Sequence, residues 1–139
     1  MKQTVDYREL ADSIEKWIKQ TVFEASATGV VVGLSGGLDS AVSAALCAEA
    51  LGNENILGLL MPCGSVRSDT DDGVRIAEHL RIEYKILDLS PVLQSFIEAG
   101  RLYDSPVMNL ANSKSRLRMA MLYAYSAGRL VLGTSNYSE

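Results

Sequence analysis

Two stretches of this chain, Val30-Val31-Val32 and Ile56-Leu57-Gly58-Leu59-Leu60-Met61, contain no polar or charged side chain. A strand with one face in water alternates apolar and polar residues, whereas an unbroken apolar run belongs to a strand buried on both faces, as in a parallel sheet layered between helices. The intervening segments read as helices. Tyr7, Leu10, Ile14, Trp17, Ile18 and Val22 share one stripe of a helix over residues 6–25, which should pack onto the domain or onto a partner subunit. Further helices are expected over residues 40–51, through Val74, Ile76, Ala77 and Leu80, and over residues 112–127, where Gly128 supplies the stop. Strands are expected at 30–34, 56–61, 83–87 and 130–133, while Pro91, Gly100 and Pro106 divide residues 90–113 into a short helix and a surface loop. Strand alternating with helix predicts an α/β fold: a doubly wound parallel sheet with helices on both faces and right-handed crossovers. Such sheets bind ligands beyond the carboxyl ends of their strands, where Ser35 and Met61-Pro62 fall.

With 139 residues, 47% of them hydrophobic, the chain can build the core of one domain and is short for two. A net charge of −4 argues against a nucleic-acid or membrane-surface partner, so any phosphate site must be local. Cys47 and Cys63 lie far apart with only His79 as a companion, which makes neither a zinc site nor a disulfide framework. Cys47 reads as a small core residue, Cys63 as a loop thiol and His79 as structural. Charges run through the first twenty residues and no apolar run reaches membrane-spanning length, so neither a signal peptide nor a membrane span is expected and the cytoplasm is the expected compartment.

Ser35-Gly36-Gly37-Leu38-Asp39-Ser40 stands where the first strand gives way to an alanine-rich helix. Two glycines let the backbone approach an anion without an intervening Cβ, and the helix that follows adds converging N–H groups and the positive end of its dipole. Ser35 and Ser40 add hydroxyls. Asp39 sets a carboxylate beside the phosphates, an arrangement that is repulsive unless a divalent cation such as magnesium lies between them. The segment matches neither the Gly-Lys-Ser/Thr loop nor Gly-x-Gly-x-x-Gly. A plain glycine turn between strand and helix is the competing reading of Gly36-Gly37 alone.

Asn112-Ser113-Lys114-Ser115-Arg116-Leu117-Arg118-Met119 is read as the start of the last helix. At helical pitch Leu117, Ala120, Met121 and Ala124 form the core stripe, Asn112, Arg116 and Tyr123 share another flank, and Arg118 points nearly opposite to Arg116. Cations suit a helix N-terminus poorly, which hints at an anionic ligand or a carboxylate partner, although Lys114 and Arg118 taken singly read as solvated side chains. After the fourth strand, Thr134 offers a hydroxyl and Glu139 a carboxylate that joins Asp39 in an oxygen shell for magnesium, unless Ser138-Glu139 merely opens another helix.

Ser-Gly-Gly-x-Asp-Ser resembles the loop of the N-type ATP pyrophosphatases, with their adenine-nucleotide α-hydrolase-like fold. Met61-Pro62, the Asn-x-x-x-Arg-x-Arg-Met run from Asn112 to Met119, and Leu130-Val131-Leu132-Gly133-Thr134-Ser135-Asn136-Tyr137-Ser138-Glu139 follow in the order found in NAD synthetases of the ammonia-dependent kind. The resemblance implies that ATP adenylates the carboxylate of deamido-NAD, pyrophosphate leaves, and ammonia then displaces AMP. It implies Gly33, Leu34, Ser35, Gly36, Gly37, Leu38, Asp39 and Ser40 around ATP, Leu60 and Met61 beside the adenine, and Thr134 as a further ATP contact. Arg116 and Asn112 are implied at deamido-NAD, Asp39 and Glu139 at magnesium, and a homodimer joined near the last helix. No nucleophilic side chain is required.

The resemblance covers about the first half of the family's length. The whole chain, residues 1–139, is thus expected to form one ATP-pyrophosphatase-type domain truncated at its C-terminus, weakly active or inactive alone. Rival readings are another user of the same loop, such as a GMP synthetase-like or tRNA-thiolating enzyme, and a truncated domain that only binds nucleotide or dimerises.

Overall fold

The computed structural model describes residues 3–64 and 67–134. In chain order it contains α1 (Tyr7–Glu24), β1 (Gly29–Gly33), α2 (Leu38–Leu51), a 3-10 turn (Asn53–Asn55), β2 (Ile56–Leu60), α3 (Arg67–Leu80), β3 (Glu83–Ile86), α4 (Ser90–Gly100), α5 (Val107–Ala124) and β4 (Arg129–Val131). The strands form one sheet in the order β3-β2-β1-β4. Every pairing is parallel, with Val31 of β1 opposite Leu57 of β2 and Val131 of β4.

The apolar runs do what their composition requires. Alternate residues of β1 and β2 enter two separate cores: Val30, Val32, Ile56 and Leu60 meet Ile18, Val22, Ala44, Cys47 and Ala77 of α1, α2 and α3. Val31, Leu57 and Leu59 meet Leu89 and Leu122 on the opposite face, with Leu117, Met121 and Tyr125 of the α5 region around them. The path from β1 outward to β2 and β3 therefore runs over one face, and the path back past β1 to β4 runs over the other. Reversing both direction and face keeps one crossover hand, which makes the sheet doubly wound as expected. The direction reverses between β1 and β4, so the crevice expected of such a sheet lies at the carboxyl ends of those strands.

Two readings need correction. Helix α5 begins at Val107, not Asn112: Pro106, at φ −56° and ψ 145°, caps it, and its carbonyl accepts from the N–H groups of Asn109 and Leu110 at 3.0 and 3.2 Å. Proline lacks an N–H and holds φ near the value an initiating position needs, so Pro106 starts the helix that it was read as excluding. The basic run thus lies inside α5 rather than at its N-terminus, and the dipole argument made for it does not apply. Secondly, Ala120 and Ala124 are exposed, and the face that packs on the sheet is buried Leu122 with partly buried Leu117, Met121 and, just past the helix, Tyr125. The α1 stripe does pack onto the domain, through buried Ile18 and Val22 with Ile14 partly buried beside them, while Tyr7, Leu10 and Trp17 of the same stripe remain 78%, 47% and 65% exposed.

Candidate functional site

Beyond the sheet, the ends of β1 and β2 are tied once more, by the Leu34 N–H donating to the Leu59 carbonyl at 2.9 Å. There the chains diverge. The Ser35 N–H donates to Ser40 Oγ at 3.3 Å, the two hydroxyls lie 3.2 Å apart, the Gly37 N–H donates to Ser35 Oγ at 3.3 Å, and Ser40 Oγ donates to the Gly37 carbonyl at 3.2 Å. Both serines thus brace the loop from inside, and Ser40 is buried. Gly36 adopts φ +82°, and a Cβ there would stand 2.6 Å from the Asp69 carbonyl oxygen of α3. Glycine is demanded twice over at this position, by backbone conformation and by the close approach of α3.

Gly37 is the N-cap residue of α2, and no side chain caps that helix. Asp39 lies in its first turn, with Leu38 and Asp39 both exposed. A glycine loop feeding an uncapped helix N-terminus at a strand's carboxyl end presents backbone N–H groups to an anion. By contrast, the N-terminus of α1 is closed by Asp6, whose Oδ1 accepts from the N–H groups of Arg8 and Glu9 at 3.0 and 3.2 Å.

A cavity of about 260 Å³ opens beyond the carboxyl ends of β1, β2 and β4, between α3 and α5. Of the sequence-predicted residues, Gly33, Leu34, Ser35, Leu60, Met61 and Thr134 line it. Gly36, Gly37, Leu38, Asp39 and Ser40 continue from its wall into α2 without lining it. Asn112 and Arg116 are exposed on α5 and do not line it either, and Glu139 lies outside the described residues. Arg118, read from sequence as solvated, is only partly exposed and lines the cavity, where its Nε donates to the Met61 carbonyl at 3.0 Å. Arg118 turns to the cavity while Arg116 is exposed away from it, so the two point different ways, as the helical geometry implied.

The sequence reading also passed over Asp69 and Thr70 of α3 and Ser115 and Met119 of α5, which complete the polar and apolar lining. Ser115, Arg118, Met119 and Leu122 follow the spacing of a single helical face. That signal was present in the sequence, hidden by placing the core stripe one position away. Cys63 lies in the loop after β2, as read, and is buried in the second core. Cys47 is buried too, and desolvation pushes its thiol up from 9.0 to about 11, so it stays protonated and inert near neutrality. His79 ends α3 away from the cavity.

For a divalent cation, the described residues contain no cluster of three or more ligating His, Cys, Asp or Glu side chains. Magnesium rarely needs one: it takes one or two carboxylates and completes its shell with phosphate oxygens and water. An exposed carboxylate in the first turn of α2, beside the loop, fits an ion that arrives with a nucleotide. Among the described residues, no helix is long and apolar enough to cross a membrane.

Comparison with known proteins gives a consistent result. The NAD synthase family profile matches residues 10–139. An NH(3)-dependent NAD(+) synthetase of Thermococcus kodakarensis is 39% identical over 140 aligned positions, which take in 99% of this chain and 54% of that protein. The solved structure of an NH3-dependent NAD synthetase from Campylobacter jejuni, in complex with the nitrate ion, superposes with a TM-score of 0.90 at 39% identity, covering 98% of this chain and 59% of that one. An NMN synthetase from Francisella tularensis superposes at 0.89 with 30% identity, covering 96% of this chain and 56% of that one. The chain spans about half the length of the curated relatives it matches.

Proposed function

The chain belongs to the NAD synthase family, and from that premise we propose that it forms the ATP-binding part of an enzyme that amidates deamido-NAD with ammonia. The observation that carries this reading is the cavity itself: a glycine loop and an uncapped helix N-terminus adjoin a cavity edged by Leu60, Met61 and Thr134. The loop suits a polyphosphate and the apolar edge of β2 suits a purine.

In the proposed reaction a nicotinate carboxylate oxygen attacks the α-phosphorus of ATP and the bond to the bridging oxygen breaks, so that pyrophosphate carries away the leaving charge. Ammonia then attacks the carbonyl carbon of the acyl-adenylate, AMP departs with the carbon–oxygen electron pair, and the nitrogen releases a proton. Neither step asks for a protein nucleophile; the chain's task is to hold the phosphates in line and stabilise developing charge. Gly36 and the first turn of α2 bind the β- and γ-phosphates through backbone N–H groups, Gly37 lets the loop approach them closely, and Thr134 holds ATP from the β4 side. Asp39 and Glu139 hold magnesium, which neutralises phosphate charge when bound. Arg116 and Asn112 take the anionic deamido-NAD on the outer flank of α5.

That flank is also the proposed homodimer contact, since Met108 and Tyr123 of α5 are 70% and 61% exposed. Two buried cysteines that are not joined in a disulfide suit a reducing compartment, and we assign the protein to the cytoplasm. The Francisella relative's name shows that a closely similar fold serves another acceptor, so acceptor choice is part of the test.

The test is AMP and pyrophosphate release from ATP, with deamido-NAD, its mononucleotide counterpart, XMP or tRNA supplied in turn and ammonium present or omitted. Release that requires deamido-NAD, and an Arg116→Ala variant about tenfold or more weaker for deamido-NAD but unchanged for ATP, are the expected results. Release driven by another acceptor overturns the assignment.

A further inference from the structure

We propose that Arg118 is a positioning residue of the nucleotide cavity, standing in for the strand partner that Met61 lacks. The inference rests on reading the cavity as the ATP site. Carbonyls along an extended segment point alternately to its two sides. At the end of β2 those of Leu59, Leu60, Met61 and Pro62 can be followed one by one. Leu59 accepts from the Leu34 N–H on the β1 side at 2.9 Å, and Leu60 accepts from the Leu87 N–H on the β3 side at 2.8 Å. Pro62 accepts from the Leu89 N–H, again on the β3 side, at 2.7 Å. The Met61 carbonyl faces the β1 side, where β1 has already turned away into the glycine loop and no backbone N–H is bonded to it. Met61 is 7% exposed, so water is a poor substitute. An unpaired carbonyl at that depth is destabilising.

Arg118 fills the gap. Its Nε donates to the Met61 oxygen at 3.0 Å, bridging 57 positions of sequence, and its side chain lines the cavity beyond the strand ends. Lys114, one turn earlier on α5, brings its Nζ to 3.6 Å from where a Gly64 Cβ would stand, and the Gly64 N–H donates to Ser90 Oγ at 3.1 Å. The segment from Met61 to Gly64 is thus held by α4 and the approach to it on one side and by α5 on the other. Arg118 sets where Met61 stands, and through Met61 it sets the wall against which the adenosyl group lies.

The role separates from direct phosphate binding. A residue that acts through the Met61 wall affects adenosine and ATP by the same factor, whereas a guanidinium acting on phosphates affects ATP far more. Binding of ATP with magnesium, and of adenosine as a competitor, is measured for the wild type, Arg118→Met and Arg118→Lys well below their melting temperatures. Losing a hydrogen bond from a charged donor is expected to weaken both ligands by a common factor of about ten or more in Arg118→Met, with a smaller common factor in Arg118→Lys, which restores one donor. Should Arg118→Met fail to fold, the common factor in Arg118→Lys decides alone. The role is overturned by unchanged affinities, by a lowered melting temperature with unchanged affinities, by a loss confined to ATP, or by failure of adenosine to compete with bound ATP. A wild type that binds no ATP overturns the reading of the cavity and this inference together, whereas a variant that binds ATP normally overturns only the role of Arg118.

Discussion

Position 36 shows how narrowly one residue can be prescribed. Its backbone lies at φ +82°, and the space a Cβ would occupy is taken by the Asp69 carbonyl. Gly36→Ala therefore combines left-handed strain with a backbone clash that no side-chain rotation relieves, and the expected loss is about 2 kcal/mol or more in denaturant unfolding. The loop and the start of α3 must also move apart, so ATP binding should fall with it. Wild-type stability and ATP affinity in Gly36→Ala would show that the loop is not built as described. The neighbouring serines carry a different lesson. Their hydroxyls suggested ligand donors, yet in the fold Ser40 is buried and both hydroxyls bond within the loop. A short polar side chain in a phosphate loop can act by shaping the backbone that does the binding.

At the scale of elements, α5 has two faces with two tasks. Leu122, 6% exposed, seats it on the sheet beside Val31 and Leu59. Leu122→Ala removes buried apolar atoms under a helix that also walls the cavity, and the expected loss is about 3 kcal/mol, read as a lower denaturant midpoint with little change in slope. A loss below about 1 kcal/mol would mean that α5 is only loosely docked.

The sequence made the strands legible because β1 and β2 are buried on both faces and written as unbroken apolar runs. The glycine loop was equally plain, since its residue types have few other uses at a strand's end. The start of α5 was not, because Pro106 serves as breaker or initiator according to the chain around it, and tertiary packing chooses. Arg118 was missed for a related reason: its partner is a backbone carbonyl 57 positions away, which no local pattern announces. Asp69 and Thr70 likewise reach the cavity only because α3 packs across the loop at Gly36.

For the molecule as a whole, the reversal of sheet direction between β1 and β4 sets the cavity at the carboxyl ends of the strands, and the two cores on either face hold its walls. Cys47 reports on the integrity of the first core. Its thiol ionises at about 11 in the fold against an ordinary value of 9.0, because burial disfavours the thiolate. A raised folded value means that its stabilising contribution is complete below pH 9 and is lost as the pH rises toward 11, since the unfolded chain ionises first. Relative to Cys47→Ala, the wild type should lose roughly 3 kcal/mol across that window, measured by urea unfolding at successive pH values. Parallel curves would show that the thiol is solvated.

The most direct test of the central claim, that the loop from Ser35 to Ser40 and its cavity grip the polyphosphate of ATP with a metal-linked acid, is calorimetric titration of this chain with ATP, with magnesium and with chelator. Saturable binding that weakens about tenfold or more without magnesium, and an Asp39→Asn variant that binds weakly and is indifferent to magnesium, are the predicted results. Absence of ATP binding, or an Asp39→Asn variant that keeps the full magnesium dependence, contradicts the account.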